Sequence, residues 1–323
     1  NNLLTTFSYT ALMPLDSQCQ AIVDAAAQAE SPFDADDPKL VRSGYAATTV
    51  LYRHQTPALD SVANLVFAGP DSNIPVRIYR PRTQGDASLP ALIFFHGGGW
   101  VVGDLDTHDH MCRHLAGNSG AIVVAVDYRL APEHKFPAPF DDALAAVHWV
   151  DSAAAELNID PKRLAIGGDS AGANLTAAVA LAMRDAGAPL LKLQLLIYPA
   201  VDFLADNDSL KKNGTGYLLT KVAVEQFTGW YLPDRISRSN PHASPQQALD
   251  HSGLPPAFIQ TAEYDPLLDE GKKYADTLEH AGVEVEYTCY MGMIHGFMRM
   301  GAKVDKAITA LDDAAQALRI ALA

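Results

Sequence analysis

The sequence predicts an α/β protein with a mostly parallel central sheet and helices on both faces of that sheet. Three observations support this fold class. From about Val62 onward, short apolar runs typical of strands alternate with longer stretches of helical periodicity. Residues 91–95 are apolar throughout, as expected of a central strand covered on both faces. Two of the apolar runs end directly in glycine-rich turns, at 97–99 and at 167–168.

Composition limits the class of protein further. The chain has 323 residues, 48% of them apolar, which is enough to bury a large core, and we expect a single domain over residues 1–323. The formal net charge of -14 argues against a nucleic-acid partner or an anionic membrane surface. No apolar run approaches the roughly 18 residues of a membrane-spanning helix. Three widely spaced cysteines and no recognisable signal peptide lead us to expect a cytoplasmic protein.

The predicted elements follow the chain in order. Residues 1 to about 50 mix polar loops with one amphipathic segment at 17–30, expected to be an appended helix. Its apolar residues recur at helical spacing: Cys19, Ile22, Val23 and Ala26. Strands are predicted at 63–67, 74–79, 91–95, 121–126, 164–166, 193–198, 257–261 and 284–290. Helices are predicted at 108–118, 137–154, 171–184, 222–231, 268–281 and 304–322. The rest of the stretch from about 202 to 241 is polar and turn-rich, which indicates an insertion.

The most informative stretch is LAIGGDSAGANL at 164–175, which contains a G-x-S-x-G motif between a predicted strand and a predicted helix. A serine on so sharp a turn is held in a strained backbone conformation, and glycine at both flanks, Gly168 and Gly172, lets the turn close. The N-terminal N–H groups of the following helix can stabilise developing negative charge. This context predicts Ser170 as a nucleophile, and a plain glycine- and serine-rich loop is the simpler alternative.

A serine nucleophile needs hydrogen-bond donors for the oxyanion of its tetrahedral intermediate. In the stretch HGGGW at 96–100 the glycines leave backbone N–H groups unshielded. The N–H groups of Gly97 and Gly98, with that of Ala171, form the predicted oxyanion hole. A phosphate-binding loop is the alternative for such a turn. Because no Gly-Lys-Ser/Thr follows either glycine-rich turn, that alternative is not favoured.

The serine also needs a base and an acid that orients the base. Among the 11 histidines, His295 follows the predicted strand 284–290, and binding groups collect at the carboxyl ends of strands in open α/β sheets. The acid is expected between the serine and the histidine in the chain, and Asp265, just after the strand 257–261, occupies that place. Three rival carboxylates stay open as alternatives: Asp269, Glu270 and Asp202.

One histidine-rich segment combines residue types and a spacing that are found in metal sites. His110 and His114 are four residues apart on a predicted helix. Other polar residues stand close to them: Asp106, His108 and Cys112. A zinc-protease pair would place Glu after the first histidine, whereas Met111 stands there. We therefore expect no metal, and we interpret these histidines as surface or supporting residues. A second polar group is expected to fix a loop near the site: Arg129, Glu133 and His134.

Five motifs stand out between about His54 and the C-terminus. They are HGGGW at 96–100, DYRLAPEHKFPAPFDDA at 127–143, GDSAGANL at 168–175, YDPLLDEG at 264–271 and Y…HGF at 290–297. Together they resemble the bacterial hormone-sensitive-lipase family of esterases. The resemblance implies an α/β-hydrolase fold with a helical cap, formed here by residues 1 to about 50 and about 203 to 240. It also implies carboxylic-ester hydrolysis without a cofactor.

Position by position, the resemblance implies the roles that the motifs predict. Ser170 is then the nucleophile, His295 the base and Asp265 the acid. The oxyanion donors are then Gly97, Gly98 and Ala171, and the resemblance makes His96 a residue that fixes the loop. The bulky Trp100 directly follows the glycines, so we expect it to contact substrate and to restrict the space beside the scissile carbonyl.

We therefore predict a serine carboxylesterase that hydrolyses short- to medium-chain esters through an acyl-enzyme, with a small-molecule ester as its partner. An amidase or formamidase on the same triad is the alternative. A non-catalytic small-molecule receptor of this fold would usually have lost a triad member, and here Ser170, Asp265 and His295 are all present. A homodimer is compatible with the sequence.

Overall fold

The computed structural model describes residues 14–28, 35–83, 87–189 and 191–323. Its strands are β1 Ser61–Ala68, β2 Asn73–Arg80, β3 Leu89–Phe95, β4 Ile122–Val126, β5 Ile159–Asp169, β6 Gln194–Ile197, β7 Ala257–Tyr264 and β8 Val285–Ile294. In the described part of the chain they form an eight-stranded sheet with the order β1-β2-β4-β3-β5-β6-β7-β8. The six strands from β3 to β8 run parallel, whereas β1 and β2 join through antiparallel pairings at one edge. The predicted mostly parallel sheet is confirmed.

Side chains of the central strands alternate between two cores, one on each face of the sheet. In β3, Ile93 and Phe95 enter one core, whereas Leu92 and Phe94 enter the other. All four side chains are fully buried. A strand buried on both faces has no polar side, and this explains why β3 is apolar without alternation. At the sheet edge, most residues of β1 are exposed.

The helices cover both faces of the sheet. They are α1 Ser17–Ala26, α2 Pro38–Tyr52, α3 Asp109–Ser119, α4 Ala138–Ser152, α5 Ala171–Asp185, α6 Asp208–Lys212, α7 Lys221–Tyr231, α8 Leu268–His280 and α9 Asp305–Ala321. Buried residues of α1, α3 and α9 join the core that holds Leu92, and those of α4, α5 and α8 join the core that holds Ile93. The predicted layering is confirmed. Across the described ranges, every helix is too short or too polar to cross a membrane.

The sequence-based prediction missed two helices, α2 and the short α6. Helix α2 begins at a capped end, where the Asp37 carboxylate accepts the Lys39 N–H at 2.9 Å. Its buried face carries Val41, Tyr45 and Thr49 at a spacing of four residues. On its outer face, apolar side chains such as Val50 are exposed, so the sequence shows no clear separation of apolar and polar faces.

Other predicted boundaries need correction. Strand β5 begins at Ile159 and strand β8 continues to Ile294, so both are longer than predicted. His295 therefore follows its strand directly instead of lying within a loop. The predicted amphipathic segment 17–30 contains α1, and its last two residues lie outside the described ranges.

Candidate active site

Ser170 lies on the turn between β5 and α5, with φ 54° and ψ -115°. Positive φ is unusual for a residue with a side chain, so the turn stores strain that its surroundings must maintain. A Cβ at Gly168 or at Gly172 would overlap the carbonyl oxygen of Phe95, at the end of β3. Both glycines of the motif are therefore required by the close approach of β3 to the turn.

The three residues predicted as the triad lie together. The Ser170 hydroxyl oxygen is 3.0 Å from Nε2 of His295. Nδ1 of His295 is 2.6 Å from Oδ2 of Asp265, which is fully buried. The other oxygen of Asp265 accepts the Leu267 N–H at 2.8 Å. Because a carboxylate can only accept, Nδ1 of His295 carries the proton and the lone pair of Nε2 faces the serine hydroxyl.

The rival carboxylates have other partners. Asp202 accepts the Leu204 N–H at 3.0 Å. Asp269 accepts the Ser209 N–H at 2.8 Å. Glu270 accepts the Val201 N–H at 2.7 Å, and burial raises the pKa of its carboxyl to about 8. Among the described residues, Asp265 is the carboxylate that contacts His295.

The loop after β3, here called the oxyanion loop and spanning residues 96–103, turns sharply over the serine-bearing turn. Gly98, Gly99 and Trp100 have φ of 123°, 59° and 61°. A Cβ at Gly98 would overlap the carbonyl oxygen of Val102, so glycine is required there by both conformation and space.

One of the three predicted oxyanion donors already has an acceptor in the structure. The N–H of Gly97 already donates to Oδ1 of Asp169 at 2.8 Å. The N–H groups of Gly98 and Ala171 have no acceptor among the described residues, and the same holds for Gly99. Sequence reasoning did not name Gly99 as a donor, although the glycine run itself was the available signal. Gly97 therefore serves to anchor the loop.

His96 and Tyr128 hold the base of the oxyanion loop. Their rings stack with centroids 4.3 Å apart, and the Tyr128 hydroxyl donates to the His96 carbonyl oxygen at 2.6 Å. Nδ1 of His96 is 2.9 Å from the carbonyl oxygen of Gly97. Burial lowers the pKa of His96 to about 4, so the ring is neutral at pH 7 and donates from Nδ1. His96 thus has the loop-fixing position that the resemblance implied.

Trp100, within the oxyanion loop, packs against α7. Its side chain is buried and stacks on Tyr231, with centroids 4.4 Å apart and ring planes 4° from parallel. Phe203 lies 5.1 Å from the same indole ring. A Cβ at Gly99 would come within 2.7 Å of the Phe227 ring. Aromatic side chains of the predicted cap segments therefore border the loop directly.

The histidines of α3, His110 and His114, are buried, so of the two predicted roles the surface one is excluded and the supporting one stands. Nε2 of His114 is 2.8 Å from Asp312, and its Nδ1 is 3.3 Å from Nε2 of His54. Nε2 of His110 donates to the carbonyl oxygen of Arg299 at 3.0 Å. In the ranges that the structure describes, no group of three or more His, Cys, Asp or Glu side chains is placed to hold a metal ion.

Two polar residues of the segment 127–134 are held by ion pairs. Arg129 forms a bidentate ion pair with the buried carboxylate of Asp142. Glu133 pairs with Arg42 of α2, whose Nε also donates to the Val101 carbonyl oxygen at 2.7 Å. This agrees with the structural role predicted for Arg129 and Glu133.

A serine on a strand-to-helix turn, followed along the chain by an acid and then by a histidine, defines a hydrolase of the α/β type. The model of a family with the alpha/beta hydrolase fold matches residues 92–299 of this chain. The chain is 44% identical over 254 residues to carboxylesterase NlhH of Mycobacterium tuberculosis, covering 78% of this chain and 79% of the relative. It is 39% identical over 294 residues to an ethyl acetate hydrolase of Pseudomonas putida, covering 89% and 92%.

Solved structures agree with these relatives. The hyperthermophilic esterase of Pyrobaculum calidifontis superposes with a TM-score of 0.91 at 40% identity, covering 96% of this chain and 100% of that chain. A thermostable esterase of Pseudomonas putida gives a TM-score of 0.92 at 34% identity, covering 97% and 99%. The chain belongs to this α/β-hydrolase family of hormone-sensitive-lipase type. It is a carboxylic ester hydrolase.

Proposed function

We propose that the chain hydrolyses short- to medium-chain carboxylic esters by a two-step serine mechanism through an acyl-enzyme. The observation that supports it best is the unbroken chain of contacts from Ser170 through His295 to Asp265, at 3.0 and 2.6 Å. The serine oxygen attacks the ester carbonyl carbon while Nε2 of His295 takes its proton. His295 then gives that proton to the leaving alcohol, and water repeats the sequence to release the acid.

The proposed oxyanion hole consists of the N–H groups of Gly98 and Ala171, with Gly99 as a further donor. Ala171 is the first residue of α5, so the positive end of the helix dipole adds to its N–H. These donors are in place before substrate binds, since the oxyanion loop is held by Gly97 and Tyr128. Preorganised donors of this kind account for roughly 10²–10³ in kcat each.

The proposed cap consists of residues 1 to about 50 and about 203 to 240. We base the short acyl preference on aromatic side chains of the cap and on Trp100 of the oxyanion loop. Trp100, Phe203 and Tyr231 form a packed group, and Phe227 lies against the loop at Gly99. Each buried methylene contributes about 0.8 kcal/mol only while apolar wall remains to meet it. The similarity to an ethyl acetate hydrolase supports the same conclusion.

An amidase activity is not favoured, because the named relatives are esterases and carboxylesterases. We also propose a cytoplasmic location and a homodimer. Light scattering coupled to size-exclusion chromatography measures the oligomeric state. A monomer at micromolar concentration would rule out a stable dimer.

The test of the mechanism is Ser170→Ala with p-nitrophenyl butyrate as substrate. We expect kcat to fall by about four to six orders of magnitude with an unchanged circular dichroism spectrum. A fluorophosphonate should label the wild type at Ser170, as read by peptide mass spectrometry, and should not label the variant. Labelling at another residue, or turnover by the variant close to wild type, would show that Ser170 is not the nucleophile.

A further inference from the structure

Asp169, the residue before the nucleophile, lies at the centre of a buried polar group behind the active site. Asp169 as a whole is 2% exposed, and its carboxylate accepts the Gly97 N–H at 2.8 Å. Nε2 of the buried His108 is 3.3 Å from the same carboxylate oxygen. The contact between Asp169 and Gly97 thus joins the serine-bearing turn directly to the oxyanion loop.

A carboxylate in this place would oppose catalysis if its charge were uncompensated. The tetrahedral intermediate develops negative charge beside Gly98, which follows Gly97 directly, and beside Ala171, which is two residues after Asp169. Two negative charges repel each other, and the repulsion is strong where water is excluded. A buried carboxylate is retained here only if it performs a task and its charge is balanced.

Two basic side chains, His108 and Arg299, oppose this negative charge. The Thr107 hydroxyl donates to the Asp104 carbonyl oxygen at 2.9 Å, so Nδ1 of His108, 3.1 Å from that hydroxyl, is placed to donate. With Nε2 facing Asp169, the His108 ring lies between the Thr107 hydroxyl and the carboxylate.

Arg299 is the second basic side chain, and it is buried four residues after His295. It lies over the Tyr45 ring of α2, with Cζ 3.8 Å from the centroid, and donates to the Thr49 hydroxyl at 3.2 Å. Although burial alone would raise it, the pKa of Asp169 is held below its usual range by His108 and Arg299. The carboxylate is therefore ionised at neutral pH and its charge is matched.

We infer that Asp169 is a positioning residue for ester hydrolysis, which orients the oxyanion loop by accepting the Gly97 N–H. The inference rests on the proposed function. The acceptor fixes Gly97, and this sets the direction of the next N–H groups in a loop with three consecutive positive φ angles. Without the acceptor, the buried Gly97 N–H has no partner and the loop can turn to satisfy it. The N–H groups of Gly98 and Gly99 then no longer point toward the oxyanion.

The test compares two substitutions that differ in one property. Asp169→Asn keeps an oxygen that can accept the Gly97 N–H, whereas Asp169→Ala removes the acceptor. The matched control is Asp142→Ala, because Asp142 is also buried, also accepts a backbone N–H and also pairs with a cation, Arg129. All are assayed for kcat and KM with p-nitrophenyl butyrate. A reversible trifluoromethyl ketone, which forms an oxyanion on the serine, supplies a Ki.

For Asp169→Ala we expect kcat to fall by about 10–100-fold, with KM within about threefold and Ki raised by a similar factor to the loss in kcat. Asp169→Asn should stay within about fivefold of wild type, and so should Asp142→Ala even if its melting temperature falls. If Asp169→Ala does not fold, the double variant Asp169→Ala/Arg299→Met removes the unpaired buried cation and is assayed against Arg299→Met alone.

Three results would overturn the inference. The first is wild-type kcat in a folded variant that lacks the acceptor. The second is an equal loss in Asp169→Asn and Asp169→Ala, which would assign the effect to the charge alone. The third is a loss confined to KM. Failure of the proposed function is distinguishable, because the wild type itself would then neither hydrolyse the ester nor bind the ketone.

Discussion

Replacement of Asp265 by Asn turns one acceptor oxygen of the side chain into a donor NH₂ group and leaves the side-chain shape intact. Oδ1 of Asp265 accepts the Leu267 N–H at 2.8 Å, and Oδ2 faces Nδ1 of His295 at 2.6 Å. An Asn side chain has one oxygen, and the Leu267 N–H requires it, so the amide NH₂ faces Nδ1. His295 must then accept at Nδ1 and carry its proton on Nε2. In that tautomer Nε2 cannot take the proton of Ser170.

The magnitude follows from the loss of the correct tautomer. The equivalent change in a serine-protease triad costs about 10⁴ in kcat, which is about 5.4 kcal/mol of transition-state stabilisation. The bond to Leu267 and the side-chain volume are kept. The free energy of unfolding should therefore fall only by about 1.5–3 kcal/mol, the value of one charge-assisted hydrogen bond.

The assay is steady-state hydrolysis of p-nitrophenyl butyrate near neutral pH, with urea unfolding to measure stability. Asp202→Asn is the control, because Asp202 is also buried and accepts the Leu204 N–H, but its partners do not include His295 among the described residues. The reasoning is refuted if Asp265→Asn keeps more than about a tenth of the wild-type kcat, or if Asp202→Asn loses as much.

Three further predictions concern substrate size, acid stability and the serine-bearing turn. In a p-nitrophenyl ester series from acetyl to palmitoyl, kcat/KM should rise to about butyryl or hexanoyl and then fall steeply, because further methylenes no longer contact an apolar wall of the pocket. A maximum at dodecanoyl or longer would contradict this prediction. Burial lowers the pKa of His54, 9% exposed, to about 4, whereas an unfolded histidine titrates near about 6.5. As the pH falls, the unfolded state therefore binds this proton at a higher pH than the folded state does. The free energy of unfolding should drop by up to about 3 kcal/mol between about pH 6.5 and about pH 4. The His54→Asn variant should lose this pH dependence of the free energy of unfolding, as measured by urea titrations. Gly172→Ala should lower the melting temperature sharply, because its Cβ would overlap the Phe95 carbonyl oxygen, whereas the control Ala173→Gly should cost only about 1 kcal/mol of helix propensity.

The sequence by itself determined the fold class and named the residues that meet at the site. The alternation of apolar runs and helical stretches predicted the parallel sheet and its two helical layers, because those periodicities express which side chains face the core. The turn around Ser170 was predictable because its G-x-S-x-G motif stands between a strand pattern and a helix pattern. Only the tertiary structure shows that a Cβ at Gly168 or Gly172 would overlap Phe95 of β3.

Helix α2 escaped prediction because its amphipathic pattern is incomplete. Its outer face carries exposed apolar residues such as Leu40 and Leu51, so hydrophobicity alone does not mark a buried side. Its contacts with the site are polar or aromatic. Arg42 binds the Val101 carbonyl oxygen, and the Tyr45 ring receives Arg299. Periodicity of apolar residues carries no information about such contacts.

Only the tertiary structure decided which backbone N–H groups are free to bind an oxyanion. Gly97 and Gly98 are equivalent in the motif, yet the first donates to Asp169, which lies 72 residues away in the chain. The contact exists because β3 and β5 are paired in register, with Phe95 beside Gly168, so the two following turns meet. Trp100 likewise packs on Tyr231 of α7. Hydrogen-bond partners and ring contacts between distant segments are set by packing in three dimensions, and the spacing of residues along the chain does not encode them.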